Sequence, residues 1–168
     1  RYCGGAARGW LLGAALTGGL AVALEAATIL DFEDLAGGAT ITRQYAQRGV
    51  VFRSAYLAVD PAARSGTRVL RAVSPGAEVF TPVALDMVFV RSQSRIRLFA
   101  ASAGTPRNGT LKVFGQGGVA VGQDGPRMVA ADRYSTLFEV SLPTPLIRRA
   151  ELHLDGTAHF AIDDLEFD

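Results

Sequence analysis

Beyond the first thirty or so positions, apolar and polar residues alternate with a period of two, as a half-buried β-strand requires. Val69, Val73 and Val79, and the stretch Leu111-Lys112-Val113-Phe114, show it, and turn residues interrupt the pattern every eight to twelve positions. The pattern predicts strands over 28–33, 49–59, 67–73, 77–91 with a break near Pro82, and 94–101. It continues over 110–122 with a break at Gly117-Gly118, then 127–131, 136–142, 147–154 and 157–167. No helix of convincing length is predicted. Many short antiparallel strands with no internal repeat point to one all-β domain, an antiparallel β-sandwich over 28–168. Asn108-Gly109, Asp124-Gly125-Pro126 and Asp155-Gly156 carry turn chemistry and are expected at chain reversals.

The last strand breaks its own period. Phe160, Ile162, Leu165 and Phe167 read as inward, with one residue too many between Ile162 and Leu165. A β-bulge at Asp163-Asp164 restores the register. Two adjacent carboxylates there need solvent, hydrogen-bond donors or a cation beside them, because like charges at close range disfavour joint ionisation.

The start of the chain follows another pattern. Arg1 and Arg8 precede the apolar run Trp10–Leu16, which continues through Leu20–Leu24 and ends in small residues around Ala21-Val22-Ala23 and Ala26. This is the layout of a secretory signal peptide, assigned to 1–27. A retained N-terminal membrane anchor is the alternative, although the run is short for a bilayer core that needs about 20 residues. Export makes the protein secreted, extracellular or held at the cell surface.

Charge and cysteine content narrow the classes further. Seventeen basic residues stand against sixteen acidic ones, so a nucleic-acid partner is not indicated. The single cysteine, Cys3, precedes the apolar run and supports neither a disulfide framework nor a thiolate metal site. Catalytic patterns are absent: no serine sits in a Gly-x-Ser-x-Gly elbow. His153 and His159 alternate with apolar neighbours as surface residues, with a metal shared across an Asp155-Gly156 hairpin as the alternative. A glycoside hydrolase would need two carboxylates facing one cleft, and Asp86 and Glu139 are the candidates whose alternation permits a shared face.

Asp31-Phe32-Glu33-Asp34-Leu35, Gly37–Ile41, Gln44-Tyr45 and Gly49–Phe52, with the closing Ile162-Asp163-Asp164-Leu165-Glu166-Phe167, resemble a bacterial family. It is that of secreted PEP-CTERM-like surface proteins, whose domains are similar to galactose-binding-like jelly rolls and carbohydrate-binding modules. The resemblance covers both ends of 31–167. It implies a jelly-roll sandwich and a structural calcium ion held by Glu33 together with Asp163 or Asp164. The family's Pro-Glu-Pro sorting motif is not among these 168 residues.

Three function classes follow. The first is a non-catalytic, calcium-stabilised module that binds extracellular polysaccharide, with Tyr56 and Tyr134 as stacking platforms and Arg95 and Arg97 as polar contacts. Arg53, Arg91 and Asp132 are further polar candidates for the same face, and Arg is suited to planar carboxylates of acidic sugars. The second is a structural or adhesive surface-matrix protein without a small-molecule pocket. The third is a jelly-roll hydrolase.

Overall fold

A computed structural model describes residues 26–53, 55–72, 83–156 and 159–168. The expected leader and the predicted strand segment over 77–82 lie outside the described residues. Twelve strands form among those described: β1 (Thr28–Leu30), β2 (Thr40–Ile41), β3 (Val50–Phe52), β4 (Ala55–Val59), β5 (Arg68–Ala72) and β6 (Leu85–Gln93), then β7 (Arg95–Ser102), β8 (Arg107–Phe114), β9 (Ala120–Val129), β10 (Thr136–Ser141), β11 (Ile147–Leu154) and β12 (Phe160–Phe167).

They form two antiparallel sheets. Sheet A runs β10-β7-β12-β5-β4-β2, with β1 also paired to β12; sheet B runs β3-β6-β11-β8-β9. The pairs β5·β12, β6·β11, β7·β10 and β8·β9 are nested, each centred within a few residues of Gly118 at the tip of the β8–β9 hairpin. One long hairpin has rolled up so that its arms alternate between sheets, which is the jelly-roll arrangement. The protein is an antiparallel β-sandwich.

Alternation along the strands builds the interior. Ile96, Leu98 and Ala100 of β7 and Leu111 and Val113 of β8 are fully buried, while Arg95, Arg97 and Lys112 point the other way. The open edges of the sandwich are tied across the corners. Asp124 on β9 accepts the Glu139 backbone N–H of β10 at 2.8 Å, and Arg127 donates to the Leu137 carbonyl at 2.8 Å. On the opposite side the Phe52 N–H donates to the Thr42 carbonyl at 2.9 Å. Ties of this kind blunt edge strands that would otherwise template aggregation.

The Asp31–Tyr45 segment is part of the core. The rings of Phe32, Tyr45 and Phe52 meet edge to face with centroids 5.8–6.3 Å apart, and the Tyr45 hydroxyl donates to Asp34 Oδ1 at 2.6 Å. Phe32 is buried at φ +63°, a left-handed conformation that a bulky residue rarely adopts and that the surrounding rings must hold.

Two of the expected turns are strand interior instead. Asn108-Gly109 lies within β8 and Asp124-Gly125-Pro126 within β9, where the register shifts between Gly109 and Leu111. A Cβ on Gly109 would come within 2.8 Å of Val129, and one on Gly125 would meet the Gly109 carbonyl at 2.6 Å. The glycines are used for close approach across a bulge, and the reversal between β8 and β9 falls at Gly115–Val119, where Gly117 and Gly118 take positive φ. Asp155-Gly156 does turn the chain, but it carries it from sheet B to sheet A and forms no hairpin.

Candidate ligand-binding face

The bulge expected at Asp163-Asp164 is present. Asp163 lies opposite Phe99 and Glu166 opposite Arg97, with Asp164 at φ +50° between them. On its other edge β12 pairs with β5 at Ala161–Ile162 and with β1 at Leu165–Phe167, which leaves the bulge between two partner strands. The β4–β5 loop, 60–67, fills that place. Asp163 is fully buried and its Oδ2 accepts the Arg64 and Ser65 backbone N–H groups at 2.7 and 2.9 Å; its Oδ1 accepts the Ser65 hydroxyl at 2.9 Å. Burial raises the Asp163 carboxyl above the ordinary aspartate range, against the lowering effect of the Ser65 hydrogen bonds.

Glu33 serves the far end of the same loop. Its Oε1 accepts the Thr67 and Arg68 N–H groups at 2.7 and 2.5 Å, and Arg68 Nη1 lies 2.9 Å from Oε2. The Thr67 hydrogen bond leads in holding this carboxyl below the usual glutamate value, with Arg68 adding to it against some desolvation. Asp164 pairs with Arg64 Nε at 3.0 Å. The residues do not fit a calcium site: backbone donors and two guanidinium groups stand where a cation would have to be. Among the described residues no group of three or more His, Cys, Asp or Glu side chains is placed to hold a metal ion.

The outer face of sheet A carries Tyr56, Tyr134, Arg95 and Arg97 among the sequence-derived ligand candidates. Tyr56 on β4 lies directly opposite Arg71 on β5. Tyr134, from the β9–β10 connection, lies over the same face against Ala58, Val69, Ala101 and Ala161. Its hydroxyl donates to Asp60 Oδ2 at 2.8 Å, and burial followed by this contact pushes its ionisation up. Asp60 in turn stands 3.7 Å from Arg71 Nη2. Tyr56, Arg71, Ala72, Ala103, His159 and Phe160 line a cleft of about 180 Å³ at the start of β12, and a small void of about 30 Å³ beside it is bounded by Asp60, Asp132 and Tyr134.

Arg95 and Arg97 share this face but lie towards the other end of β12. Both contact Glu166, at 3.1 and 3.3 Å, and Arg95 Nε also meets Glu139 at 2.8 Å, which raises the Arg95 guanidinium's affinity for its proton. Arg64, stacked 3.8 Å over the Phe99 ring, separates this ion-pair cluster from the Tyr56 cleft. The expected set therefore divides: the two tyrosines reach one site, and the two arginines form a separate ionic ladder. Arg53 lies beside sheet B, 3.6 Å from Asp86, and Arg91 lies within β6 of that sheet, so neither joins the face.

The other candidates separate further. Asp86 projects from sheet B and Glu139 from sheet A, on opposite outer surfaces, each engaged by arginine. They cannot flank one glycosidic bond. His153 is exposed on β11 of sheet B and His159 immediately precedes β12 of sheet A. They are not brought together as a metal pair.

Comparison with one solved adhesin domain agrees with this architecture at the level of fold. The K2 cleaved adhesin domain of Lys-gingipain (Kgp) superposes with a TM-score of 0.55 over 85% of this chain and 98% of its own, at 12% identity. The CBM22-1 xylan-binding domain of Paenibacillus barcinonensis Xyn10C gives 0.46 over 79% and 96%, at 14% identity. A DUF4465 family protein from Bacteroides caccae gives 0.48 over 86% and 99%, at 12% identity. No family model matches the chain, and no curated protein matches it in sequence.

Arg71 and Asp60 were missed by sequence reasoning. Arg71 alternates with Leu70 and Ala72 as a solvated strand residue would, and only its register against Tyr56 marks it. Asp60 sits before Pro61 and reads as a turn residue.

Proposed function

We propose that this domain is a non-catalytic, exported binding module for extracellular carbohydrate and that the Tyr56 cleft on sheet A receives the sugar. The observation that carries the reading is the cross-strand pair of Tyr56 and Arg71, closed in by His159 and backed by the Asp60–Tyr134 contact. An aromatic face accepts the C–H surface of a pyranose, and guanidinium, carboxylate and imidazole groups at its rim suit the hydroxyls. At about 180 Å³ the cleft is below the ~300 Å³ at which pockets enclose a drug-sized ligand. It suits one ring of a polymer that continues across the face. Export rests on the apolar run between Trp10 and Leu24 behind Arg1 and Arg8.

The test is retention of the full chain on a panel of immobilised polysaccharides, followed by titration with the best soluble oligosaccharide. Tyr56→Ala is expected to weaken binding about tenfold or more while leaving the melting temperature close to wild type. Binding that survives Tyr56→Ala moves the site elsewhere. Failure to bind any member of the panel favours the structural or adhesive alternative.

A further inference from the structure

Three outward positions on sheet A carry alanine where a solvated strand would carry a polar side chain: Ala58 of β4, Ala101 of β7 and Ala161 of β12. Each is at most 8% exposed, because Tyr134 packs over them. Small residues beneath a ring leave room at its edge, and the void of about 30 Å³ lies there, bounded by Tyr134, Ala101 and Ala161. Arg71, Ala103, His159 and Phe160 line both this void and the Tyr56 cleft. The two are therefore one depression with a narrow side arm.

Two carboxylates at the rim of the arm are fixed before any ligand arrives. Asp132 stands at φ +51°, a left-handed conformation that Asp adopts more readily than most residues. Its N–H donates to the Ser102 carbonyl at 2.8 Å, and the Ser102 N–H donates to the Ala130 carbonyl at 2.9 Å. These bonds pin the β9–β10 connection to the end of β7. Asp132 Oδ1 also accepts the Gly104 N–H at 3.0 Å. Asp60 is held as firmly: its Oδ1 accepts the Ala62 N–H at 2.9 Å and its Oδ2 the Tyr134 hydroxyl at 2.8 Å. An ionised carboxylate offers about four acceptor positions, so each can take a further donor.

We propose that the side arm receives the exocyclic hydroxymethyl group of a hexopyranose, so that the module takes hexose polymers in preference to pentose polymers; this rests on the reading of the Tyr56 cleft as the sugar site. About 10–15 Å³ admits one water-sized group, so about 30 Å³ admits the two heavy atoms of a CH2–OH arm. An acetamido arm, with four heavy atoms, is too large. The methylene meets alanine methyl groups and the hydroxyl donates to a carboxylate at the rim. A pentopyranose carries only hydrogen at that carbon and makes neither contact.

Isothermal titration of the full chain with cello-, manno- and galacto-oligosaccharides and with xylohexaose tests it, the xylose chain being the cello chain without its hydroxymethyl groups. The best hexose series should bind about tenfold or more tightly than xylohexaose. Asp132→Gly, which suits the positive φ, should lower affinity for that series about tenfold and leave xylohexaose unchanged, whereas a merely loosened loop would weaken both alike. If Asp132→Gly melts early, Ala161→Val, which fills the arm from the strand beneath it, carries the same comparison. Xylohexaose that binds as tightly as the best hexose series, a hexose preference left intact by the variant, or equal weakening of both series would overturn the inference. The cleft itself still stands in those cases if Tyr56→Ala abolishes binding of every series. Failure of all series to bind, or binding indifferent to Tyr56→Ala, removes the cleft as the sugar site and this inference with it.

Discussion

The outer faces of the two sheets use similar residues in different ways. On sheet B, Asp86, Arg149 and Glu151 form a ladder between side chains: Arg149 Nε lies 2.8 Å from Asp86, and Arg149 also contacts Glu151. These groups are partly buried on the outer face, and the Asp86–Arg149 pair runs from strand to strand. On sheet A, Asp163 and Glu33 turn to backbone N–H groups of the 60–67 loop, and Tyr134 covers the strands beside it. A carboxylate that satisfies backbone donors fixes the path of a loop, and an ion pair between neighbouring strands does not. The difference explains why relief, clefts and candidate ligands gather on sheet A. A face acquires a site when loops are pinned over it.

The largest expected effect follows from that contrast. Asp163→Ala strands two backbone N–H groups and a hydroxyl beneath the loop and should cost about 2–4 kcal/mol, whereas Asp86→Ala should cost under about 1 kcal/mol. Urea melts of the two variants measure both, and equal losses would erase the distinction between the faces. Tyr134→Phe comes next, at about 1–2 kcal/mol by the same measurement, since it removes a part-buried hydrogen bond to the Asp60 carboxylate.

Acid sharpens the comparison within sheet A itself. The Glu33 carboxyl is depressed on folding, so its contribution is present above the ordinary glutamate value of about 4.3 and is lost as pH falls through the folded value. Glu33→Gln should therefore narrow the stability gap to wild type steadily as pH is lowered through that window, in urea melts at several pH values. Asp163 has the opposite sign: raised by burial, it favours the fold when protonated, and that contribution fades as pH rises through its folded value. A gap that stays constant with pH would mean that Glu33 is not ionised against the loop. The smallest effect is expected from metal. Thermal melts in excess EDTA and in millimolar calcium should coincide, because N–H donors already occupy the carboxylate oxygens. A ligand bound at 100 times its dissociation constant would instead add about 2.7 kcal/mol.

Much of the fold was legible because strand burial is a local, period-two property. The alternation in Arg95–Ser102 and Ile147–Leu154 marks which side chains enter the core, and the extra residue between Ile162 and Leu165 marks the bulge. Turn chemistry was a weaker guide. A glycine beside Asn or Asp serves a reversal or a close approach equally well, and only the neighbouring strand decides: Gly109 and Gly125 face each other across β8 and β9. The carboxylates were correctly singled out as needing partners, but their partners, Arg64 and Ser65, are nearly a hundred residues away along the chain. The same limit divided the ligand candidates. Tyr56 and Tyr134 meet on one face because β4 and the β9–β10 connection are brought to the same side of sheet A, while Arg53 and Arg91 belong to sheet B. The sequence by itself determined the strands, the inward faces and the places where charge had to be answered. Which strands became neighbours, and therefore which side chains share a site, was decided by tertiary structure, because rolling one long hairpin into two sheets joins residues whose separation along the chain carries no local signal.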